Sequence, residues 1–174
     1  MTKRDYIDFQ DRGQPLGYLI TFRSYGTWLH GDERGSIDRR NYNRYGTPAM
    51  PANSRILVEE QGNLKTGAVL LNLGHRAIVE AAIHEVCQYR NWVLHAVNAR
   101  INHVHSVVSA RCPPENVMNN FKSYATRRLR EAGALAQHVR PWARHGSTPY
   151  LWTEEQVARA VDYVVNGQGD EPFA

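Results

Sequence analysis

A chain of 174 residues is long enough for one compact domain with a hydrophobic core, and for little more. Hydrophobic residues make up 42% of it and charged residues 22%, which is typical of a globular protein and argues against a disordered one. Twenty-one Lys and Arg residues against seventeen Asp and Glu residues leave a net charge of +4, which permits a nucleic-acid partner without requiring one.

The cellular location is predicted from what the sequence lacks. No apolar run approaches the roughly 20 residues that cross a bilayer, and residues 1–17 contain no apolar signal-peptide core. The cysteines, Cys87 and Cys112, have no CxxC spacing, so we expect neither a disulfide framework nor a zinc ribbon. These observations predict a protein of the reducing cytoplasm with no membrane partner.

The first predicted element is a strand over 17–24, in which Tyr18, Ile20 and Phe22 alternate with the side chains of the other face. Residues 31–56 are polar, rich in arginine and interrupted by proline, and they show neither helical nor strand periodicity. A connection this long in a small domain is usually functional or disordered. We therefore predict a single domain over 1–174 that contains a long Arg-rich insert.

A helix is predicted over about 75–90 and is followed by two strands, over 91–100 and 101–110, that are close enough to pair as a hairpin. The apolar side chains of the helix recur with a helical period: Val79, Ala82, Ile83 and Val86.

A second helix is predicted over 113–132, with proline at its start and Gly133 just past its end. Its apolar stripe consists of Met118, Phe121, Ala125 and Leu129. Its basic flank consists of Lys122, Arg127, Arg128 and Arg130. A loop follows that contains a short strand near Tyr150–Trp152.

The last predicted helix covers 153–166, and Thr153 with Gln156 forms a capping box at its start. Its apolar stripe consists of Val157, Ala160, Val161, Val164 and Val165. The element order β-α-β-β-α, with the short strand and this helix appended, predicts an α+β fold of the ferredoxin-like, split β-α-β type. We expect an antiparallel sheet with helices on one face and the last helix added at the C-terminus.

Two histidines lie one residue apart in the third strand, His103 and His105. Residues i and i+2 of a strand share a face, so both imidazoles project side by side while Val104 and Val108 pack on the other face. Such a pair can bind one metal ion, although a catalytic ion needs at least one further protein ligand and an open position. The two histidines could equally bond to each other or to nearby carbonyl groups.

Tyr163 lies about 120° from the centre of the last helix's apolar stripe, which predicts a side chain on the flank of that helix. If the helix packs across the sheet, the histidine face becomes its neighbour. A phenol has an unperturbed pKa of about 10, but beside a divalent cation that polarises a phosphate it can attack phosphorus. The alternative is an ordinary amphipathic tyrosine at a helix edge.

Together these features resemble the single-tyrosine HUH transposases, in which a hydrophobic residue separates two histidines on a central strand, here His103-Val104-His105. An asparagine before the motif, the basic helix "FKSYATRRLR", a tryptophan-containing loop and a late helix ending "VDYVVNGQ" are also similar to that family. The branch that the chain resembles most is the IS200-like, REP-associated tyrosine transposases, and the resemblance covers about 17–168.

The resemblance implies an enzyme that cuts and rejoins single-stranded DNA beside small hairpins. It implies that His103 and His105 bind Mg²⁺ or Mn²⁺, and that Tyr163 attacks the scissile phosphate to leave a 5′-phosphotyrosine and a free 3′-OH. Rejoining reverses this chemistry, so no nucleotide cofactor is expected. Imidazole suits Mn²⁺, Zn²⁺, Ni²⁺ or Cu²⁺ better than Mg²⁺. A protein of this kind would be associated with the nucleoid when it binds DNA.

The chain departs from the family at the third metal ligand, a Gln or Asn that relatives carry one helical turn after the tyrosine. That position is Gly167, with Asn166 before it and Gln168 after it. If Gly167 ends the helix, Gln168 can fold back, and we therefore predict Gln168 rather than Asn166 as the ligand. Both could instead be ordinary residues of a helix C-terminus.

Basic residues interleaved with aromatic ones are typical of surfaces that hold single strands. One such segment includes Arg39, Arg40 and Arg44, and a second includes Arg144. The basic flank of the second helix could follow the phosphates as well. Each of these could also be a solvated surface.

Two other interpretations remain open from the sequence. A non-catalytic protein that binds nucleic-acid hairpins on the same fold is consistent with the departure at Gly167. A small metal hydrolase is a weaker hypothesis, since no H-E-x-x-H motif or comparable set is present. The working form is predicted to be a monomer or a homodimer, with Tyr163 acting in its own chain or across the dimer.

Overall fold

The computed structural model describes residues 13–27, 53–62 and 67–167. The elements in these ranges are β1 (Gly17–Ser24), α1 (Ser54–Gly62), α2 (Leu73–Arg90), β2 (Val93–Ala99), β3 (His103–Ser109), α3 (Pro114–Glu131), β4 (Trp142–Ser147), β5 (Tyr150–Leu151) and α4 (Glu154–Asn166). None of these helices has the length and apolar character that a membrane crossing requires.

The strands form one antiparallel sheet in the order β2-β3-β1-β4, and β5 pairs with the beginning of β1. This order is that of the split β-α-β plan, so the predicted α+β, ferredoxin-like fold is confirmed. The predicted hairpin is also confirmed, because β2 and β3 pair from Val93↔Ser109 to Ala99↔Val104.

The larger core lies between the sheet and the helices α2 and α3. Tyr18, Ile20 and Phe22 of β1 enter it, as the alternation predicted. The predicted apolar stripes of both helices are buried in it: Val79, Ala82, Ile83 and Val86 from α2, and Met118, Phe121, Ala125 and Leu129 from α3. Helical periodicity alone therefore identified this layer.

The smaller core lies on the opposite face of the sheet, beneath α4. It is formed by Leu19, Ala96, Val107 and Leu151 from four strands, and by Ala160 and Val164 from the helix. The molecule therefore has three layers, with α2 and α3 on one side of the sheet and α4 on the other.

Half of the predicted capping box at the start of α4 is confirmed, and the reciprocal bond goes to Trp152, one residue before the N-cap Thr153. The Gln156 backbone N–H donates to Thr153 Oγ1 at 3.1 Å, and Gln156 Oε1 accepts from the Trp152 N–H at 2.7 Å. The prediction for Val165 was wrong, because this side chain is 58% exposed. The docked face is centred on Ala160 and Val164, and Val165 lies about 100° beyond Val164 around the helix.

Two elements were missed by the sequence pattern. β4 lies within the predicted loop, because an edge strand that pairs only with β1, with a register shift between Phe22 and Ser24, shows no clear apolar alternation. α1 was missed because its apolar pattern is weak, and Val58 on it is exposed. The insert predicted over 31–56 lies outside the described residues except for 53–56, and the single-domain assignment stays a prediction.

Gly146 occupies a site in β4 that has no room for a side chain. A Cβ here would overlap the Thr21 carbonyl oxygen and lie 2.5 Å from Met118 Sδ. We expect Gly146→Ala to lower the free energy of unfolding by about 1–3 kcal/mol, measured by urea denaturation. Gly62→Ala is the matched control, because its Cβ would meet no atom within 4 Å. Equal stability of the two variants would contradict the packing described here.

Candidate active site

The pleat of β3 places the two histidines side by side. The ring centroids of His103 and His105 are 4.6 Å apart, with an angle of 78° between the ring planes. Val107 continues their face beneath α4, while Val104 and Val108 pack in the core with α2 and α3. The faces predicted for the two histidines and for Val104 and Val108 are therefore confirmed. His105 is only 4% exposed.

Each imidazole has a short contact between its Nδ1 atom and an oxygen. Asn102 Oδ1 lies 2.6 Å from His103 Nδ1, and Thr21 Oγ1 lies 2.7 Å from His105 Nδ1. An amide oxygen only accepts hydrogen bonds, so this contact favours a proton on Nδ1 of His103 and a lone pair on Nε2. The Nε2 atoms of both rings are buried. Two imidazole donors of this kind fit Mn²⁺ well and Mg²⁺ less well.

The turn before β3 is tied to the end of β1. The Asn102 carbonyl accepts from the Ser24 N–H at 2.9 Å, from Ser24 Oγ at 3.1 Å and from Thr27 Oγ1 at 3.2 Å. The backbone of Asn102 is therefore fixed where its side chain meets His103.

Helix α4 brings Tyr163 to the histidines. The ring centroids of Tyr163 and His105 are 5.4 Å apart, with 76° between the ring planes. Tyr163 projects from the flank of the docked helix and stays 42% exposed. The structure therefore brings the three side chains together within one chain. The sequence predicted that Tyr163 could neighbour the histidine face but left open whether it does so in its own chain or across a dimer. The chemical roles of the three side chains remain predictions.

Asn98 of β2 was missed by the sequence analysis. It pairs directly opposite His105, and its Nδ2 donates to the Val164 carbonyl at 2.9 Å. That carbonyl is one of the last four of α4, which lack partners within a helix. Asn98 thus holds the final turn of α4, next to Tyr163. The register shift between Leu94 and Ala96 hides this placement from a simple alternation rule.

The described residues do not supply the third metal ligand that the sequence predicted. Helix α4 ends at Asn166, as supposed for a Gly167 terminus, and a Cβ at Gly167 would lie 2.9 Å from Tyr163 Cα. Asn166 is exposed and donates to Asp162 Oδ1 at 2.9 Å. Gln168 lies outside the described residues. Within the described ranges, no group of three His, Cys, Asp or Glu side chains could hold a metal ion.

The predicted basic flank lies across the sheet from Tyr163, because it belongs to α3. Lys122 is only 9% exposed, and its Nζ donates to the carbonyls of Ala143 at 2.9 Å and His145 at 3.1 Å. Its charge therefore links α3 to β4.

Arg128 is also engaged within the protein. Its Nε donates to Glu85 Oε2 of α2 at 2.8 Å, and a second guanidinium nitrogen donates to Glu131 Oε2 at 2.6 Å. The hydrogen bonding by Arg128 holds the pKa of the Glu85 carboxyl below its usual value. The pair joins the two helices of the larger core.

The remaining predicted DNA contacts differ in accessibility, since Arg130 is half-buried and donates to the Val139 carbonyl at 3.2 Å. The Arg127 guanidinium stacks on the Tyr124 ring at 4.5 Å and has a half-exposed side chain. It borders an open cavity of about 530 Å³ together with Arg130. Arg144 is exposed on β4. Arg39, Arg40 and Arg44 lie outside the described residues.

Comparisons with known proteins point to one family. The sequence model described as "Transposase IS200 like" matches residues 65–163. A solved structure described as a REP-associated tyrosine transposase bound to a REP hairpin matches 87% of this chain, with a TM-score of 0.45 and 12% sequence identity. The match covers 65% of that protein, which is slightly less than two thirds of its length. A comparison with curated proteins gives no significant match.

The hydrogen bond from Asn98 generates a test of how α4 is held. We expect Asn98→Ala to remove about 1 kcal/mol of local stability, and amide hydrogen exchange at 160–166 to become roughly fivefold faster. Asn120→Ala is the matched control, since its amide donates to the Asn116 carbonyl on the exposed face of α3. Unchanged protection of α4 in Asn98→Ala would show that this bond does not hold the helix.

Proposed function

The chain belongs to the IS200-like transposase family, and we propose that it cuts and rejoins single-stranded DNA through a covalent bond to Tyr163. The observation that carries the proposal is the 5.4 Å contact between the Tyr163 ring and His105, whose ring is 4.6 Å from that of His103. A phenol beside two imidazoles supplies the nucleophile and two of the metal ligands that a phosphotyrosine step at a metal-bound phosphate requires.

His103 and His105 would hold the divalent ion, Mg²⁺ or Mn²⁺, through their Nε2 atoms, with Gln168 as the proposed third protein ligand. When bound, the ion supplies Lewis-acid polarisation of the scissile phosphate. The chain's own contribution is positional, because β3 fixes the spacing of the imidazoles and α4 holds the phenol beside them.

In the proposed step, the Tyr163 oxygen attacks phosphorus and forms a new oxygen–phosphorus bond. The bond from phosphorus to the 3′ oxygen breaks, the phenol releases its proton, and the leaving oxygen ends as a free 3′-OH. Rejoining follows when another 3′-OH attacks the 5′-phosphotyrosine, so no nucleotide cofactor is consumed. Since Tyr163 is 42% exposed, a DNA strand can reach it from solvent.

The proposed substrate is single-stranded DNA beside a hairpin, as the family resemblance implies. Arg127, Arg130 and Arg144 are the described residues proposed to contact phosphates, with Arg39, Arg40 and Arg44 from the long insert. Lys122 and Arg128 were proposed for the same role, but their internal bonds favour a contribution through structure. Because one chain supplies both histidines and the tyrosine, a monomer suffices for the step, and the nucleoid is the proposed place of action.

A second candidate function is a hairpin-binding protein without catalysis. The observation that favours it is Gly167, which provides no side chain where relatives carry a ligand. Such a protein would bind hairpin DNA with a strong salt dependence and would form no covalent adduct.

Substitution of Tyr163, the proposed nucleophile, distinguishes the DNA-cleaving enzyme from the non-catalytic hairpin-binding protein. The protein is incubated with Mn²⁺ and a labelled pool of single strands that carry a randomised segment beside a hairpin, and covalent adduct is resolved on a denaturing gel. We expect the native chain to form adduct and Tyr163→Phe to reduce its rate of formation by about 10⁴-fold or more, because phenylalanine keeps the ring but lacks the attacking oxygen.

Tyr89→Phe is the control, since this exposed tyrosine lies on α2, on the other side of the sheet. It should form adduct at the native rate, and EDTA should abolish the adduct in both proteins. An adduct that persists in Tyr163→Phe would remove this residue from the role. Hairpin binding by the native chain without any adduct would favour the second function.

A further inference from the structure

We propose that Thr21 and Asn102 are positioning residues, which hold both imidazoles of the site in the tautomer with the proton on Nδ1. Both Nε2 lone pairs are then available to one ion before it binds. The inference rests on the proposed function for its biological meaning, but its geometry stands on the described residues alone.

In each of the two rings an oxygen contacts Nδ1, and the two oxygens come from different parts of the fold. Asn102 Oδ1 is 2.6 Å from His103 Nδ1, and Thr21 Oγ1 is 2.7 Å from His105 Nδ1. Both distances lie at the short end of the range for hydrogen bonds. Nδ1 of each ring therefore faces an oxygen that can accept its proton.

Asn102 can fill this role because its backbone is fixed by three donors. The Ser24 N–H, Ser24 Oγ and Thr27 Oγ1 all converge on its carbonyl at 2.9, 3.1 and 3.2 Å. Thr27 Oγ1 also lies 2.9 Å from Ser24 Oγ. The amide oxygen of Asn102 therefore meets His103 from a rigid turn, and an amide oxygen cannot donate a proton.

Thr21 is fixed by the sheet itself. It lies directly opposite His105 in the β1–β3 ladder and opposite Ser147 in the β1–β4 ladder. A β-branched side chain in a central strand has few rotamers, so the hydroxyl stays beside Nδ1. A hydroxyl can donate or accept; in the arrangement we propose it accepts from the Nδ1–H of His105, which leaves Nε2 as the atom with the lone pair.

The consequence for the site is a lower cost of binding a cation. A neutral imidazole exchanges between two tautomers, and only the one protonated on Nδ1 can bind a metal through Nε2. Partners that orient ligating histidines in this way typically account for 10–100-fold in metal affinity. Thr21 and Asn102 would therefore control affinity for the ion without touching DNA or the ion itself.

The test uses the metal-free full chain and then Mn²⁺ alone. Long-range ¹H–¹⁵N correlation spectra, recorded where the imidazoles are neutral, identify the protonated nitrogen of each ring. We expect Nδ1–H at both His103 and His105 in the native chain. In Thr21→Val and Asn102→Ala we expect mixed tautomers at the adjacent ring, and Mn²⁺ affinity measured by electron paramagnetic resonance that is weaker by roughly 10–100-fold.

Thr21→Ser restores a hydroxyl and should restore both the tautomer and the Mn²⁺ affinity. Thr126→Val is the matched control, because it removes a hydroxyl from α3 that donates to the Lys122 carbonyl, across the sheet from the histidines. It should leave both readouts unchanged. Nε2–H at either ring of the native chain, or native Mn²⁺ affinity in folded Thr21→Val and Asn102→Ala, would overturn the inference.

The two proposals fail separately. The tautomer and Mn²⁺ measurements contain no DNA, so they test only the role of Thr21 and Asn102. Absence of a covalent DNA adduct would count against the proposed function only.

Discussion

The two-residue period of β3 assigns every side chain of the strand to one of two layers. Val104 and Val108 enter the core with α2 and α3, while His103, His105 and Val107 face the side that α4 covers. A slip of one residue would bury both imidazoles among the apolar side chains and would move the valines to the other face. Because the burial of the valines fixes the register, the same interaction that stabilises the fold also aligns the two imidazoles.

The contact beneath α4 is small, and this suits a residue that has to be both held and accessible. Ala160 and Val164 pack on Val107 and Leu151, and one side-chain hydrogen bond from Asn98 fixes the last turn. Tyr163 projects from the flank of this contact instead of its centre. It can therefore lie against His105 while a large part of its side chain remains open to solvent.

The parts of the site that follow from periodicity could be predicted from the sequence. The shared face of His103 and His105 needs only the strand period, and the flank position of Tyr163 needs only the helical period. Thr21 and Asn98 could not be assigned in this way, because their roles depend on which residue each faces across a ladder. In β2, the register shift after Leu94 changes that pairing.

Charged residues show the same limit of sequence information. Lys122 and Arg128 share a helix flank with Arg127, and the sequence gives no reason to separate them. Only the tertiary structure shows that Lys122 donates to β4 and that Arg128 forms close hydrogen bonds to Glu85. Arg127 reaches the same carboxylate only at 4.0 Å and keeps a half-exposed side chain. β4 itself was missed because an edge strand with one neighbour needs little apolar alternation.

We propose that both imidazoles and the Tyr163 ring surround one cation site in a single chain. The most direct measurement is paramagnetic line broadening by Mn²⁺ in a monomeric sample whose tyrosine rings are labelled with ¹³C. We expect substoichiometric Mn²⁺ to broaden the Tyr163 ring signals strongly and to leave those of Tyr89 on α2 sharp. In His103→Ala/His105→Ala the signals of both tyrosines should stay sharp. Sharp Tyr163 signals while the histidine signals are broadened, or broadening that survives loss of both histidines, would contradict it.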